Sequence, residues 1–245
     1  MDAKRGYIPE DELNFSLEAI TKMKTASRHV LYLLDEGYDL KQAATFVGNH
    51  FLFSERQRLA VMRSAASTRQ LSERKKKQVS VSELEGCEVW IDGFNTIITL
   101  EVLLSDSLLF ECMDETIRDL AALRGTYRLI PETSAAVELM FDILQKAEVA
   151  KINILLDEPV SNSGRLKALI ADVAEAEQYL FKVDIQILKN VDRMLYHKER
   201  VITSDSIILD HCISWVNLTA EIMKHAGKQG IKVWQEKTDD RQEIR

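Results

Sequence analysis

Three aspartates, Asp92, Asp157 and Asp205, each follow a short apolar run that is typical of a buried β-strand. Those runs span residues 89–91, 152–156 and 201–204. In an open parallel sheet the carboxyl ends of neighbouring strands meet at one edge, roughly 5 Å apart per strand step. We therefore expect the three carboxylates to converge in one crevice.

Carboxylates held close together repel and raise one another's pKa unless a cation neutralises them. Oxygen ligands without His or Cys nearby favour Mg²⁺ or Mn²⁺ over Zn²⁺. Asp192, at the start of a short predicted helix, is the candidate fourth ligand, and Asn95 and Ser204 are candidates for orienting water at the site. The sequence therefore predicts a magnesium or manganese site with these four aspartates as metal ligands and catalytic residues.

A second interpretation of the same residues needs no metal. Asp is a favoured N-cap residue, and a turn from a strand into a helix often ends in one, so each aspartate could be a helix cap. Asn95 and Ser204 could likewise hydrogen-bond the local backbone. Three independent caps that are all Asp are less readily explained this way than one.

The part of the chain that carries these residues alternates between strand and helix patterns, which predicts an α/β fold with a parallel sheet and helices on both faces. Predicted strands span residues 87–92, 152–156, 181–187, 200–204 and 213–216. Predicted helices cover residues 97–103, 114–123, 131–147, 165–179 and 191–196, with one more after Asp205 and a last one ending at Gly227.

A small all-α N-terminal domain is expected before this body. Residues 11–35 have helical periodicity. Asp39 with Gln42 resembles a capping box that opens a second helix, and Ser54 with Gln57 opens a third that runs into the lysines at 75–77. We therefore predict a helical head at 1–71, a polar linker at 72–86, the α/β body at 87–236 and a charged, disordered tail from 237 to 245.

The head is basic and the body acidic. Residues 1–78 contain 14 Lys and Arg against 10 Asp and Glu, and the remainder contains 18 against 29. This asymmetry favours a polyanionic partner. The candidate nucleic-acid-binding residues are Arg56, Arg58, Arg63, Lys75, Lys76 and Lys77, on a helix-turn-helix-like module. Alternatively, the head is a three-helix cap whose arginines are solvated or pair with acidic residues of the body.

The overall composition, 46% hydrophobic and 29% charged, is that of a globular protein. Neither a run of roughly 18 apolar residues nor a signal-peptide pattern is present, so we expect a cytoplasmic protein without a membrane partner. The three cysteines, Cys87, Cys112 and Cys212, are far apart, which argues against a disulfide framework and against a CxxC metal site.

The segment from Ile91 to Asn95 resembles the opening motif of the PIN-like and NYN-type nucleases, and 203–205 resembles their late strand-end motif. Asp157 and Asp192 follow the same order of acidic residues, and the likeness covers residues 87–227. The resemblance implies a PIN-like (Rossmannoid) body with a metal-dependent ribonuclease site. That superfamily usually places a further acidic residue on a helix between the first two site strands; candidates are Glu111, Glu115 and Asp119.

The whole chain also resembles an uncharacterised prokaryotic family, domain of unknown function 434, in which a helical head precedes such a body. Residues 28–35, 47–50 and 56–59 look like motifs of that head, and 156–164 look like a motif of the body. This resemblance implies a fold and a metal site, not an activity.

Three functions remain open from the sequence. The favoured one is a metal-dependent endoribonuclease that cleaves RNA phosphodiester bonds, with RNA held by the head or by another subunit of a homo-oligomer because the body is acidic. The second is a non-catalytic nucleic-acid-binding or regulatory protein with a degenerate PIN-like fold. The third is a phosphoesterase or nucleotide hydrolase acting on a small molecule. The lack of a Walker motif and of GxGxxG argues against nucleotide binding by a glycine-rich loop.

Overall fold

The computed structural model describes residues 4–121 and 125–235. The charged tail predicted from 237 onward lies outside these residues. Within them, no helix combines the length and the apolar character that a membrane crossing requires.

Six strands form one parallel sheet in the order β6-β5-β2-β7-β8-β1. They are β1 (Gln78–Val79), β2 (Glu88–Asp92), β5 (Lys151–Asp157), β6 (Lys182–Leu188), β7 (Val201–Ile202) and β8 (Trp215–Val216). Two further strands, β3 (Leu109–Glu111) and β4 (Ile117–Asp119), form an antiparallel hairpin beside the sheet.

Helices α1 to α5 form the N-terminal region, and helices α6 to α11 connect and cover the strands. The first group is α1 (Asp11–Asn14), α2 (Leu17–Asp35), α3 (Leu40–His50), α4 (Glu55–Ser64) and α5 (Thr68–Lys77). The second is α6 (Gly93–Leu104), α7 (Glu132–Lys146), α8 (Ser163–Ala176), α9 (Val191–Leu195), α10 (Ser206–His211) and α11 (Leu218–His225), and a 3-10 turn spans Val81–Glu83.

The two faces of the sheet bury separate apolar clusters, because successive residues of a strand point to opposite faces. Val89 and Ile91 of β2 pack with α6, α7, α8 and α11 on one face. Leu155 of β5 and Trp215 of β8 pack with α9 and α10 on the other, where Trp90 also lies. The predicted fold class, a parallel α/β sheet with helices on both faces behind an N-terminal helical region, is therefore confirmed.

The chain changes direction at β2. From β2 it moves through β5 to β6 on one side, and it then returns to β7 and β8 on the other side. The carboxyl ends of β2, β5 and β7 therefore flank the point where the strand order reverses, which is where open α/β sheets form ligand crevices.

Gly93 explains how β2 turns into α6 so abruptly. A Cβ atom at this position would lie 2.6 Å from Leu156 Cδ2 and 2.9 Å from the Leu155 carbonyl oxygen. The helix backbone therefore packs directly on β5, and this close approach requires glycine.

The short-range signals of the head are confirmed. The Asp39 side chain accepts a hydrogen bond from the Gln42 amide at 3.0 Å and caps α3. Ser54 and Gln57 form a reciprocal capping box at the start of α4.

The expectation of an aperiodic linker at 72–86 was wrong. The segment contains the second half of α5, strand β1 and the 3-10 turn. The helix predicted to run from Ser54 into the lysines is also two helices, because Ala65 is extended and Ser67 caps a new helix. The buried side of α5 includes a charged residue, Arg74, so hydrophobic periodicity did not reveal it.

The helix predicted over 114–123 was also wrong in its described part, which contains the hairpin turn and β4. Asp114 accepts hydrogen bonds from the amide and the hydroxyl of Thr116 at 3.2 and 2.6 Å. This local bonding favours a turn over a helix, and Glu115 has a positive φ of 63°.

The head and the hairpin share one core. Phe15, Met23 and Val30 of the head pack in the same buried cluster as Phe110 of β3 and Val233 near the end of the described chain. The Ser27 hydroxyl also donates a 2.8 Å hydrogen bond to the Val233 carbonyl. The head therefore lies directly on the body.

Candidate active site

Asp92 is the last residue of β2 and is 6% exposed. It occupies the N-cap position of α6 but makes no capping hydrogen bond. Its Oδ2 atom instead accepts a 2.8 Å hydrogen bond from the hydroxyl of Thr203, on the neighbouring strand end. The cap interpretation therefore does not explain this aspartate.

Thr203, Asn95 and Ser204 tie the ends of β2 and β7 together. Asn95 Oδ1 accepts hydrogen bonds from the Ser204 amide at 2.8 Å and from its hydroxyl at 3.0 Å. Thr203 Oγ1 in turn accepts the Asp205 amide at 3.0 Å. The predicted site residues Asn95 and Ser204 thus contact each other, and Asn95 fixes the turn that carries Asp205.

Asp205 is the one aspartate of the four that caps a helix. Its Oδ1 atom accepts hydrogen bonds from the Ile207 and Ile208 amides at 2.8 and 3.2 Å, at the start of α10. Asp157 caps no helix, since the N-cap residue of α8 is Asn162. The cap interpretation is therefore confirmed for Asp205 alone.

Strand register places Asp157 on the same face of the sheet as Asp92. Asp92 pairs with Leu155, and Asp157 is two residues further along β5. Alternate residues share a face, so both carboxylates belong to the face that α9 and α10 cover. Asp192 in the first turn of α9 and Asp205 before α10 lie on that face too.

The electrostatics agree with this convergence. Burial, followed by the negative charges of Asp205, Asp157 and Asp192, raises the pKa of Asp92 to about 8, although the Thr203 hydrogen bond opposes the shift. Burial and the Asp192 charge raise the pKa of Asp157, and burial and the Asp205 charge raise the pKa of Asp192. The negative charges of the neighbouring aspartates therefore help to destabilise the charged forms of Asp92, Asp157 and Asp192.

Whether these residues suit a metal depends on the number of ligands required. Within residues 4–121 and 125–235, no group of three or more His, Cys, Asp or Glu side chains is arranged to hold a metal ion. Mg²⁺ commonly keeps several waters and binds through one or two carboxylates plus substrate phosphates. The oxygen-only donor set and the mutual repulsion of the carboxylates fit such an ion, and a closed protein cage is not present in the described chain.

A cleft of about 210 Å³ opens beside Asn95, Ser204 and Asp205, between the body and the head. Asp119 of β4 also lines it, and Arg63 of α4 contributes from the head. A larger groove of about 750 Å³ runs along β1 and α11 and contains none of the four aspartates. Volume alone therefore does not identify the site. Of the four aspartates, Asp205 lines the smaller cleft, and Asp92, Asp157 and Asp192 are not among its lining residues in the described chain.

The head arginines are largely engaged inside the protein. Arg56 forms hydrogen bonds to both carboxylate oxygens of Asp11 at 2.9 and 2.7 Å. Arg58 donates to the Phe53 carbonyl at 2.9 Å and to Asn49 Oδ1. The cap interpretation expected arginines that are solvated or paired with acidic residues of the body. Arg63 meets it through Asp119 at 3.7 Å, whereas the carboxylate of Asp11 and the acceptors of Arg58 belong to the head itself. Nucleic-acid binding by Arg56 and Arg58 remains a prediction.

The predicted lysine run forms the end of α5. Lys75 pairs with Glu115 at 2.7 Å, Lys76 is exposed, and Lys77 donates to the Asp210 carbonyl at 2.8 Å, at the carboxyl end of α10. Asp205 is at the opposite end of α10. The lysines therefore do not line the cleft beside the acidic residues.

Two residues of the site were not singled out as ligands or orienting groups from the sequence. Thr203 is uncharged, and its role depends on pairing between β7 and β2. Asp119 was one of three acidic candidates for a helix position, and the structure places Glu111 and Asp119 on strands and Glu115 in a turn. Asp119 alone of these three lines the cleft. The sequence signal that could have identified Thr203 as a site residue is its place in the polar run at 203–205, directly after an apolar strand pattern.

Two protein-family models match the chain. Residues 81–221 match the family described as domain of unknown function (DUF5616), and residues 22–77 match the one described as protein of unknown function (DUF434). The resemblance to DUF434 was expected over the whole chain, whereas the DUF434 model matches part of the head and α5.

An uncharacterised protein of Methanocaldococcus jannaschii is 31% identical over 209 residues, which cover 84% of this chain and 99% of that protein. No solved structure matches the chain significantly. The similarity to the archaeal protein extends over both the head and the body.

Proposed function

The chain belongs to the DUF5616 family, and on that premise we propose that it is a divalent-metal-dependent endoribonuclease with a PIN-like body. One observation carries the proposal: four aspartates from separate elements lie on one face of a parallel sheet, where its strand order reverses. The motifs at the ends of β2 and β7, in the order that resembles the PIN-like nucleases, support the choice of a nuclease.

Mg²⁺ or Mn²⁺ is the cofactor that this donor set fits. Asp92 and Asp157 on the two strand ends would hold it. The carboxylates of Asp205 and Asp192 would add negative charge that attracts it. When bound, the cation neutralises these carboxylates, activates water and stabilises the charge that develops on a scissile phosphate.

The side chains of the protein have separate tasks in this proposal. Asp92 carries a proton near neutral pH when no cation is bound, because its pKa is about 8. As a ligand of the cation it would be ionised. Thr203 fixes its orientation through the 2.8 Å hydrogen bond to Oδ2. Asn95 holds the turn that carries Asp205.

The test is Mn²⁺-dependent cleavage of single-stranded RNA by the wild-type protein and by Asp92→Asn. The amide has the same shape and keeps an oxygen acceptor for Thr203, so the fold is expected to remain. Cleavage should fall by roughly 10²-fold or more, because the amide carries no charge to hold the cation. The charge-matched control is Asp172→Asn, an exposed position on α8, which should cleave like the wild type. Equal cleavage by Asp92→Asn and the wild type would refute the proposed role.

A further inference from the structure

The cleft between head and body has two chemically different walls. The body supplies polar groups, including Asn95, Asp119 and Asp205. The head supplies the apolar side chains of Leu40 and Met62. A ligand that is polar at one end and apolar along one side would match both walls at once.

The amide of Asn95 has a fixed orientation. The Ser204 backbone N–H can only donate, so the atom that faces it at 2.8 Å must be the Asn95 carbonyl oxygen. The Nδ2 group therefore points away from that turn. It has no acceptor among the residues that the structure describes, so both of its N–H donors are available at the cleft.

Arg63 provides a positive charge at the same cleft. Its Nη1 atom donates to the Asp119 carbonyl oxygen, and the Asp119 carboxylate lies 3.7 Å away. The side chain is 35% exposed, and its other N–H groups have no partner within 4–121 and 125–235. The arginine is thus held in place and keeps donors free for an anion.

We infer that this cleft binds one nucleotide unit of a single-stranded RNA, with its phosphate on Asn95 Nδ2 and Arg63 and its base or sugar on Leu40 and Met62. The inference rests on the proposed function and names how its substrate is held. The cleft volume of about 210 Å³ is below the range of roughly 300–1,000 Å³ typical of small-molecule pockets, so the cleft would take no more than one nucleotide unit of a strand.

The charges of the cleft make this binding depend on a cation. Asp119 and Asp205 on the body wall repel a phosphate, whereas Arg63 and the Asn95 amide attract it. Arg118 also lines the cleft and adds positive charge, but its guanidinium already donates to Asp114 at 2.7 Å and to the Ser204 carbonyl at 2.6 Å. Binding should therefore be at least several-fold stronger with Mg²⁺ than without it.

Equilibrium binding of two probes tests the inference on the full chain: adenosine 5′-monophosphate and a short single-stranded oligoribonucleotide, each with Mg²⁺. Asn95→Asp keeps the acceptor for Ser204 but removes the free donor, and Arg63→Gln removes the charge. Both should weaken binding at least tenfold. Lys146→Gln makes the same charge change at an exposed position of α7 outside the cleft and should change binding less than twofold. Melting curves verify that each variant folds.

The two probes separate the sources of the phosphate. Two results together support single-stranded RNA as the ligand. Asn95→Asp and Arg63→Gln each bind the oligoribonucleotide at least tenfold more weakly than the wild type does, and the wild type binds the matching duplex at least tenfold more weakly than the single strand. If the wild type binds only the mononucleotide, binding of an RNA strand is overturned, and a small phosphate ester takes its place. Unchanged binding in Asn95→Asp and Arg63→Gln, or weaker binding in Lys146→Gln alone, refutes the proposal that this cleft binds the strand.

Failure of this inference can be told apart from failure of the proposed function. Binding is read without turnover, so a wild-type protein that binds the oligoribonucleotide and never cleaves it refutes the nuclease while leaving the cleft supported. A protein that cleaves RNA while Arg63→Gln and Asn95→Asp bind normally refutes the cleft alone.

Discussion

Replacing Asp92 by Asn should stabilise the cation-free protein, and by an amount that depends on pH. Burial and the charges of Asp205, Asp157 and Asp192 raise the pKa of Asp92 from 3.8 to about 8. Between these values the folded state binds a proton that the unfolded state releases, so wild-type stability falls as pH rises through this window. Below pH ~4 Asp92 is protonated in both the folded and the unfolded state, so its ionisation costs no stability. Above pH ~8 Asp92 is ionised in both states, and the full cost of burying its charge lowers the stability.

The size of the effect follows from the shift. At roughly 1.4 kcal/mol per pKa unit, four units correspond to an upper bound of roughly 5–6 kcal/mol at pH ~8. Local relaxation and water entry reduce such penalties, so we expect about half, roughly 2–3 kcal/mol. For a chain of this length that raises the melting temperature of Asp92→Asn by roughly 5–10 °C at pH ~8.

Thermal melting in EDTA across this pH range measures the prediction, with Asp172→Asn as the exposed control. The difference between Asp92→Asn and the wild type should grow from near zero at pH ~4 to its full value at pH ~8, and Asp172→Asn should follow the wild type. A destabilised Asp92→Asn at pH ~8, or a difference independent of pH, would show that burial and neighbouring charges do not control this carboxyl.

Two further substitutions test the framework around the site. Gly93→Ala should destabilise the fold by roughly 2–4 kcal/mol, because its Cβ would lie 2.9 Å from the Leu155 carbonyl oxygen. The control is Gly164→Ala, whose Cβ meets nothing within 4 Å and which should be close to neutral. Denaturant titration measures the free energy of unfolding of both variants. Arg74→Ala should cost roughly 3–5 kcal/mol, since Arg74 is 2% exposed and pairs with the buried Asp114 at 2.6 Å. A loss below 1 kcal/mol in the same titration would contradict a buried ion pair that joins α5 to the hairpin turn.

The elements that were predictable from the sequence are those whose signals are local. The Ser54 and Gln57 capping box and the apolar runs of β2 and β5 depend on neighbouring residues, so they could be read directly. The order of the strands was not predictable from those runs, because pairing between β2 and β7 joins residues about a hundred positions apart.

The errors have the same physical origin. Arg74 makes α5 look like a solvated linker, and its partners Asp114 and Asp210 are distant in sequence. The hairpin turn and β4 fall in the helix predicted over 114–123, because a strand of three residues gives little signal of its own and β4 depends on pairing with β3. Likewise, the strand-end aspartates could be identified as a set, whereas the roles of Thr203 and Asp119 needed the folded arrangement.

Anomalous diffraction from crystals soaked in Mn²⁺ tests the central claim most directly, because it examines convergence and cation binding together. The account predicts a manganese peak in contact with the carboxylates of Asp92 and at least one of Asp157 and Asp205, and its loss in Asp92→Asn crystals. Wild-type crystals that show no such peak after the same soak, or a peak of equal height in Asp92→Asn, would contradict a metal site at these aspartates.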